Sequence, residues 1–188
     1  MVPPPSPSYC SFADMDPYTF GPPSVPLHPP PPRLPEDVLA CAGRQRSASF
    51  FAFEAPAFAE DLLSIHLRLP VRMSVKLDHW VHVDSAPGDF ILVPRGAASA
   101  WGNEGAPEAL LVVLPPALTR KIACQDADSD PARLEFRPRV GHTDPLIHAI
   151  GRAILGELQT GGLLGMLYLE TLFHTLSIHL LRHHAVFA

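Results

Sequence analysis

The sequence has little of what marks secreted and membrane proteins. Its 188 residues include three cysteines, Cys10, Cys41 and Cys124, which are too few and too far apart for a disulfide framework or a zinc pattern. Free thiols are typical of a reducing compartment, which favours a cytoplasmic location. The N-terminus lacks a basic-then-apolar leader. The longest apolar run, residues 109–114, is far short of the about 18 residues that suggest a membrane span, so no membrane partner is expected.

Positive charge and catalytic signatures are scarce as well. The formal net charge is −5, and no run of lysine or arginine occurs. Because affinity for nucleic acid comes largely from neutralising phosphates, these residues alone are not expected to bind DNA or RNA. The sequence contains no nucleotide-binding glycine loop and no Ser/His/Asp or paired-carboxylate signature. These absences favour a binding module over an enzyme.

Proline is concentrated at the N-terminus, and the remainder has the composition of a globular body. More than half of the 23 prolines lie in residues 1–35, which predicts a disordered or polyproline-like arm. Apolar residues make up 47% of the chain and charged residues 18%, enough for a real core. We therefore divide the chain into the arm, a β-barrel at 36–140 and a helical segment at 141–188.

Apolar and polar residues alternate along much of the central region, which is the period of β-strands. A short helical turn is predicted at 36–41 and a short helix at 117–125. Closely spaced strands with turn residues between them are typical of a sandwich or barrel. The strands are predicted at 47–54, 63–69, 73–78, 79–83, 89–93, 97–101, 109–114 and 134–140.

The period changes to that of helices after residue 140. Thr143 or Asp144 is the candidate N-cap with Pro145 in the first turn, and Gly161–Gly162 separates a second helix at about 164–183. We expect an antiparallel two-helix hairpin that forms a homodimer. The alternative is that both sides of the hairpin pack on the barrel. The predicted dimerisation residues are Met166, Leu169, Leu172, Phe173, Leu176 and Leu180.

The stretch GDFILVPRGAASAWGN combines an apolar strand, a Pro-x-Gly turn and a returning strand. In order and spacing it resembles the second signature motif of cupin barrels, whose fold is a double-stranded β-helix or jelly roll. Gly88, Pro94, Gly96 and Asn103 match that motif, whereas Ser99 occupies the position where metal-binding cupins carry a histidine. The resemblance implies a barrel that has lost a metal ligand, so neither a metal nor another cofactor is expected.

The spacing of the histidines gives no further support to a metal site. His79 and His82 are three apart and face opposite sides of a regular strand. His174 and His179 are five apart on the second helix, which is not the usual ligand spacing of four. His183–His184 lie in the last turn of that helix, where we expect surface or interface residues.

A small-molecule pocket is the remaining candidate site. Such pockets are mostly apolar and aromatic, with a few placed polar groups. The alternative is that the tryptophans are plain core and the histidines exposed. A shift of one residue would also reverse which strand face points inward. The candidate ligand-binding residues are His66, Trp80, His82, Ser99 and Trp101.

Three segments together resemble a more specific family. They are PGDFILVPRGAASAW, the Arg-Pro-Arg that precedes Asp144-Pro145, and the leucine-rich helix that ends in HLLRHH. From about residue 64 to 184 the chain resembles the N-terminal sensor domain of AraC-type transcription regulators. The resemblance implies a mainly β fold with C-terminal helices, in which a cupin-like barrel senses an unknown small-molecule effector.

In that family the hairpin dimerises, and DNA is contacted only through a helix-turn-helix domain that this sequence does not include. The function that the resemblance implies is therefore a non-catalytic, ligand-sensing and dimerising domain. Two alternatives stay open. One is a small metal-dependent cupin enzyme, such as a dioxygenase or isomerase. The other is a stand-alone modulator that dimerises with a full-length regulator.

Overall fold

Two β-sheets face each other, and three helices cover the outer face of the larger sheet. The computed structural model describes residues 24–27, 34, 38–45, 51–125 and 133–187. The predicted class, mainly β with helices toward the C-terminus, is confirmed. Most of the predicted N-terminal arm lies outside the described residues. Its part at Ser24–Pro26 is a short strand, because it pairs with the strand that follows it.

The larger sheet has six strands, and every neighbouring pair is antiparallel. Strands are numbered in chain order. In spatial order its strands are β1 (Ser24–Pro26), β2 (Leu39–Gln45), β9 (Glu108–Leu114), β4 (Asp61–Arg68), β7 (Asp89–Val93) and β11 (Arg139–Thr143).

The smaller sheet has four antiparallel strands, and a two-stranded ribbon lies near the C-terminus. The strands of the smaller sheet, in spatial order, are β3 (Phe51–Ala55), β8 (Ser99–Glu104), β5 (Val71–Lys76) and β6 (Trp80–Ser85). The ribbon consists of β10 (Leu134–Phe136) and β12 (Ala185–Phe187).

The helices are α1 (Pro116–Ala123), α2 (Pro145–Thr160) and α3 (Gly165–His184). The predicted start of α2 is confirmed, because the Asp144 side chain accepts hydrogen bonds from the backbone N–H groups of Leu146 and Ile147. Helix α2 ends before Gly161, whose φ of 61° is readily adopted by glycine. In the part of the chain that the structure describes, no helix is long and apolar enough to span a bilayer.

Strand β4 is buried on both of its faces, and this determines where the cavity forms. Leu63 and Ile65 point toward the helices and belong to the main hydrophobic core. Ser64 and His66 alternate with them and point between the sheets. The more polar face of the strand therefore faces inward, and its apolar face holds the helices.

The helices pack closely on this apolar face. A Cβ atom added to Gly151 of α2 would lie 2.8 Å from Cδ1 of Ile65. Helix α2 also packs against α3. The absence of a side chain at Gly151 therefore permits the close approach of helix and sheet.

Helix α3 buries most of its predicted dimerisation face against other parts of the same chain. This corrects the prediction that these residues contact a second copy. Four of the six residues are buried in the main core, and Leu172 packs against this core while partly exposed. Met166 remains exposed, at 42%. The reason is that the helix packs against α1 and α2 and contributes these residues to the main core. The four buried residues are Leu169, Phe173, Leu176 and Leu180.

Several predicted element bounds are also corrected. Residues 39–41, predicted as part of a helical turn, lie in β2, because their backbone pairs with β9. The strand predicted at 134–140 is two separate strands, which pair with different partners. Strands β7 and β8, predicted on either side of a tight turn, belong to opposite sheets. The turn between them therefore carries the chain across the molecule.

Candidate functional site

A cavity of about 170 Å³ lies between the two sheets. Both sheets line it, because alternate residues of their strands point into the space between them. Most lining groups are apolar, and a few polar side chains lie among them. The apolar lining includes Phe53, Met73, Ile91, Trp101 and Leu111.

One wall of the cavity is an aromatic pair. Phe53 and Trp101 are directly opposite each other on β3 and β8, and their rings stack with centroids 6.1 Å apart and planes 6° apart. The indole Nε1 of Trp101 donates a hydrogen bond of 2.8 Å to Oγ of Ser99. Since Ser99 accepts this bond, its hydroxyl hydrogen can be directed to another acceptor. The structure thus places two predicted residues, Ser99 and Trp101, together in the cavity wall.

His66, another candidate ligand-binding residue, lies on the opposite sheet and also lines the cavity. It is buried, and its Nε2 atom lies 2.5 Å from the carbonyl oxygen of Leu69. Because a carbonyl oxygen accepts only, Nε2 carries a hydrogen and donates it. The pairing of β4 with β9 shifts register between His66 and Arg68, and Leu69 has a φ of 63°. This local irregularity places the carbonyl within reach of the imidazole.

Two further polar groups of the cavity were not predicted. Asn103 is buried, and its Nδ2 donates to Oε1 of Gln45. Asp89 accepts bonds at both carboxylate oxygens, from the backbone N–H of Ala86 at 2.8 Å and from Oγ1 of Thr143 at 2.5 Å. Asn103 belongs to the cupin-like motif, so the spacing of that motif could have identified it as a cavity residue.

Trp80 and His82, which were also predicted to bind ligand, do not line the cavity. Trp80 is 48% exposed, and its ring stacks with that of His82 at 6.5 Å. Nδ1 of His82 lies 2.7 Å from Oγ of Ser74 on the neighbouring strand. Side chains alternate along β6, so Ser85 points into the cavity while these two residues point outward. They lie on the outer face of the smaller sheet.

The turn between β7 and β8 is held by an ion pair between a buried carboxylate and a partly buried arginine. Asp61 is fully buried. Its Oδ1 accepts from the backbone N–H of Arg95 at 2.8 Å, and its Oδ2 accepts from the guanidinium at 3.2 Å. Burial raises the pKa of Asp61 above its ordinary value by more than the Arg95 contacts lower it. This pair fixes the Pro-x-Gly turn beside the inter-sheet core.

A second cluster of titratable groups lies outside the cavity, where α2 begins and α3 ends. Nε2 of His179 is 2.8 Å from Oδ2 of Asp144, and Nε2 of His184 is 3.9 Å from the same oxygen. Nε of Arg139 lies 3.4 Å from Nδ1 of His184. Residue spacing did not predict this cluster, because Asp144 is far from the two histidines in the chain and the histidines are five apart on a helix.

The surroundings of this cluster shift two of its pKa values. Burial raises the pKa of Asp144, but the hydrogen bonds from His179 and from backbone N–H groups lower it more, so the net direction is downward. Burial lowers the pKa of His184, and the positive charge of Arg139 lowers it further. The lowered pKa of Asp144 favours its ionised carboxylate, and the lowered pKa of His184 favours its neutral imidazole.

Comparisons with known proteins leave the family of the chain open. No protein-family model and no curated protein matches it. Among solved structures, it is similar to a cupin superfamily protein from Desulfitobacterium hafniense, with 15% identity and a TM-score of 0.38. That match covers 49% of this chain and 77% of the other.

Two further solved structures are similar over a smaller part of this chain. An ethanolamine utilization protein from Salmonella typhimurium has 18% identity and a TM-score of 0.31, and the match covers 42% of this chain and 58% of that one. A mutant oxalate decarboxylase from Bacillus subtilis has 17% identity and a TM-score of 0.34, with coverage of 42% and 21%. At TM-scores below 0.5, none of these similarities decides between an enzyme and a binding protein.

Proposed function

We propose that this chain is a non-catalytic sensor module whose barrel binds a small, mostly apolar molecule. The observation that carries the proposal is the apolar cavity between the sheets, with an aromatic wall formed by Phe53 and Trp101 and a few polar groups. This combination is typical of ligand sites rather than of a fully packed core. Its polar groups would orient the ligand, and its aromatic wall would supply most of the contact.

The size of the cavity limits the ligand to about one ring. Its volume of about 170 Å³ is close to that of an engineered apolar cavity of about 150 Å³ that accepts benzene. The hydroxyl of Ser99 and the imidazole of His66 lie in opposite sheets. A single-ring molecule with one hydroxyl, carboxylate or amide group would bury its ring and satisfy one of these partners.

The cavity residues do not fit a metal-dependent cupin enzyme. Nε2 of His66 is already a donor to the carbonyl of Leu69, and both oxygens of Asp89 accept hydrogen bonds. In the described part of the chain, His66 is the single histidine in the cavity lining. A catalytic zinc or iron site needs about three protein ligands around one point. The enzyme alternative would thus require the lining to rearrange.

The resemblance of residues 64–184 to AraC-type sensor domains supports a wider role. In this proposal, a double-stranded β-helix barrel is followed by an antiparallel helix hairpin that forms a homodimer in the cytoplasm. The exposed residues Leu163, Leu164, Leu167 and Tyr168, at the start of α3 and the loop before it, would supply the contact together with Met166. Ligand binding would alter the dimer, and DNA would be contacted through a helix-turn-helix domain outside this sequence.

The proposal is tested by ligand screening on a cavity-filling variant. A panel of phenols, benzoates and single-ring amides is screened by thermal shift against the wild type, Ala109→Leu and His82→Ala. A ligand at 100 times its Kd stabilises the folded state by about 2.7 kcal/mol. We expect Ala109→Leu to abolish this stabilisation, because Ala109 lines the cavity, and His82→Ala to retain it.

Two results would contradict the proposed function. Equal stabilisation of the Ala109→Leu variant and the wild type would place the ligand outside the cavity. A stoichiometric metal that is lost when His66 is replaced by alanine would favour the cupin-enzyme alternative.

A further inference from the structure

Three metal-ligating side chains converge at the junction between the barrel and the C-terminal helices. We propose that Asp144, His179 and His184 form a site for a divalent transition metal such as Zn²⁺. One donor atom from each residue lies within 4.8 Å of the other two. The site is separate from the cavity and does not depend on the proposed sensor function.

The donor distances are close to those that a metal requires. Zinc binds imidazole nitrogen and carboxylate oxygen at about 2.0–2.1 Å, so adjacent donors of a tetrahedral site are about 3.3 Å apart. Here Oδ2 of Asp144 is 2.8 Å from Nε2 of His179 and 3.9 Å from Nε2 of His184. These two distances lie on either side of the required value, and all three donor atoms lie within 4.8 Å of one another, so the donors must come closer by up to about 1.5 Å to complete the geometry.

The carboxylate is already held in a suitable orientation. Oδ1 of Asp144 accepts from the backbone N–H groups of Leu146 and Ile147 at 2.9 and 3.1 Å. The second oxygen is thereby turned toward α3. Carboxylates that bind metals are usually held in place by hydrogen bonds of this kind. The helix cap and the proposed ligand therefore use different oxygens of the same residue.

His184 provides a second, independent observation. Its Nε2 atom is buried and makes no hydrogen bond within the described residues. A buried polar atom without a partner is unfavourable, so such atoms often mark a missing ion or water. This nitrogen lies beside Oδ2 of Asp144, where the proposed metal would be bound.

Arg139 limits how tightly the site binds. A metal on Nε2 of His184 requires the ring hydrogen to be on Nδ1, where Nε of Arg139 now lies at 3.4 Å. Arg139 must therefore turn aside when the metal binds. Its charge also opposes a cation. Replacing Arg139 with glutamine would remove both effects and supply an oxygen to accept from Nδ1.

The experiment is a Co²⁺ titration of the purified chain without a histidine tag, followed by optical absorption. We expect one Co²⁺ per chain with the visible spectrum of a tetrahedral site, displaced by Zn²⁺. Asp144→Asn, His179→Gln and His184→Gln should each weaken binding at least tenfold, and Arg139→Gln should strengthen it. Asp144→Asn retains an oxygen for the helix cap, so its circular dichroism should match the wild type.

Matched controls separate this site from the cavity. His66→Gln and His82→Gln should bind Co²⁺ as the wild type does, since neither residue belongs to the cluster. Wild-type affinity in Asp144→Asn and His184→Gln would overturn the proposal, as would a wild type that binds no Co²⁺. Loss of binding in His66→Gln would place the metal in the cavity and also overturn it. If the Ala109→Leu variant no longer binds the small ligand of the cavity but still binds Co²⁺, the two sites are independent.

Discussion

At the scale of single residues, one buried carboxylate holds the turn that joins the two sheets. Asp61 is fully buried and accepts bonds from both the backbone and the side chain of Arg95. Arg95 in turn donates through Nη2 to the carbonyl oxygen of Leu134 at 2.6 Å. The pair therefore connects β4, the turn after β7 and the start of β10.

Removing this carboxylate should destabilise the fold strongly. Breaking a buried ion pair by deleting one partner costs about 3–5 kcal/mol, because the remaining charge is left uncompensated. Arg95 is only partly buried, so we expect Asp61→Ala to lower the free energy of unfolding by about 3 kcal/mol, at the lower end of that range. Asp61→Asn should cost less, since its amide oxygen still accepts from the Arg95 N–H. Urea unfolding measures both, and equal stability of Asp61→Ala and wild type would contradict the expectation.

The same residue should give stability a defined pH dependence. Burial raises the folded-state pKa of Asp61 above its ordinary value of 3.8, so the folded state holds this proton more tightly than the unfolded state. The stability that this tighter proton binding contributes is full below pH 3.8 and is lost as the pH rises through the folded-state pKa. The unfolding free energy of the wild type should therefore fall relative to that of Asp61→Asn as the pH rises above about 4. A difference that stays constant or grows would contradict the direction.

At the scale of elements, the fit of α2 to the larger sheet depends on one glycine. Gly151 faces Ile65 and Leu110 at distances that leave little room for a side chain. Gly156, on the same helix, has no atom within 4 Å of its added Cβ position in the described structure. The two glycines therefore form a matched pair with opposite expectations.

Valine at Gly151 should destabilise the protein, and alanine at Gly156 should stabilise it. Extra methyl groups in a packed core cost about 1–3 kcal/mol, because side chains or backbone must shift. Gly→Ala in an open helical position gains about 0.5–1 kcal/mol through reduced backbone entropy loss. Thermal and urea unfolding of the two variants measure both effects. Loss of stability in Gly156→Ala would show that this face of α2 is not open.

The kinds of element were largely predictable from local sequence, whereas their partners were not. Helix α2 begins at Asp144-Pro145 and ends at Gly161–Gly162, and both ends depend on backbone chemistry that acts within a few residues. Residues 39–41 were predicted as helical, but pairing with β9 makes them a strand. Pairing between residues about seventy positions apart leaves no local pattern, so propensity alone could not identify it.

At the scale of the whole molecule, the order in which the helices and the two sheets are stacked determines which predicted site residues lie close together. His66, Ser99 and Trp101 converge in the cavity, while Trp80 and His82 lie outside. The alternation of each strand shows which residues share a face, but not which face the neighbouring layer covers. The helices cover the outer face of the larger sheet, so the apolar positions of β4 face them instead of the space between the two sheets.

The same layer order shifts the proposed dimer contact from the buried face of α3 to its exposed start. Leu163 and Leu167 are 96% and 56% exposed, and Leu164, Met166 and Tyr168 are exposed as well. We expect the chain to be a dimer at micromolar concentration and Leu167→Glu to be a monomer with an unchanged circular dichroism spectrum, because a charge there opposes burial against a second copy. Light scattering after size exclusion measures the mass. Leu69→Asn, at an exposed positive-φ position between β4 and β5, is the control and should remain dimeric. A monomeric wild type would end the dimer proposal, and dissociation in Leu69→Asn alone would move the contact to the β4–β5 turn.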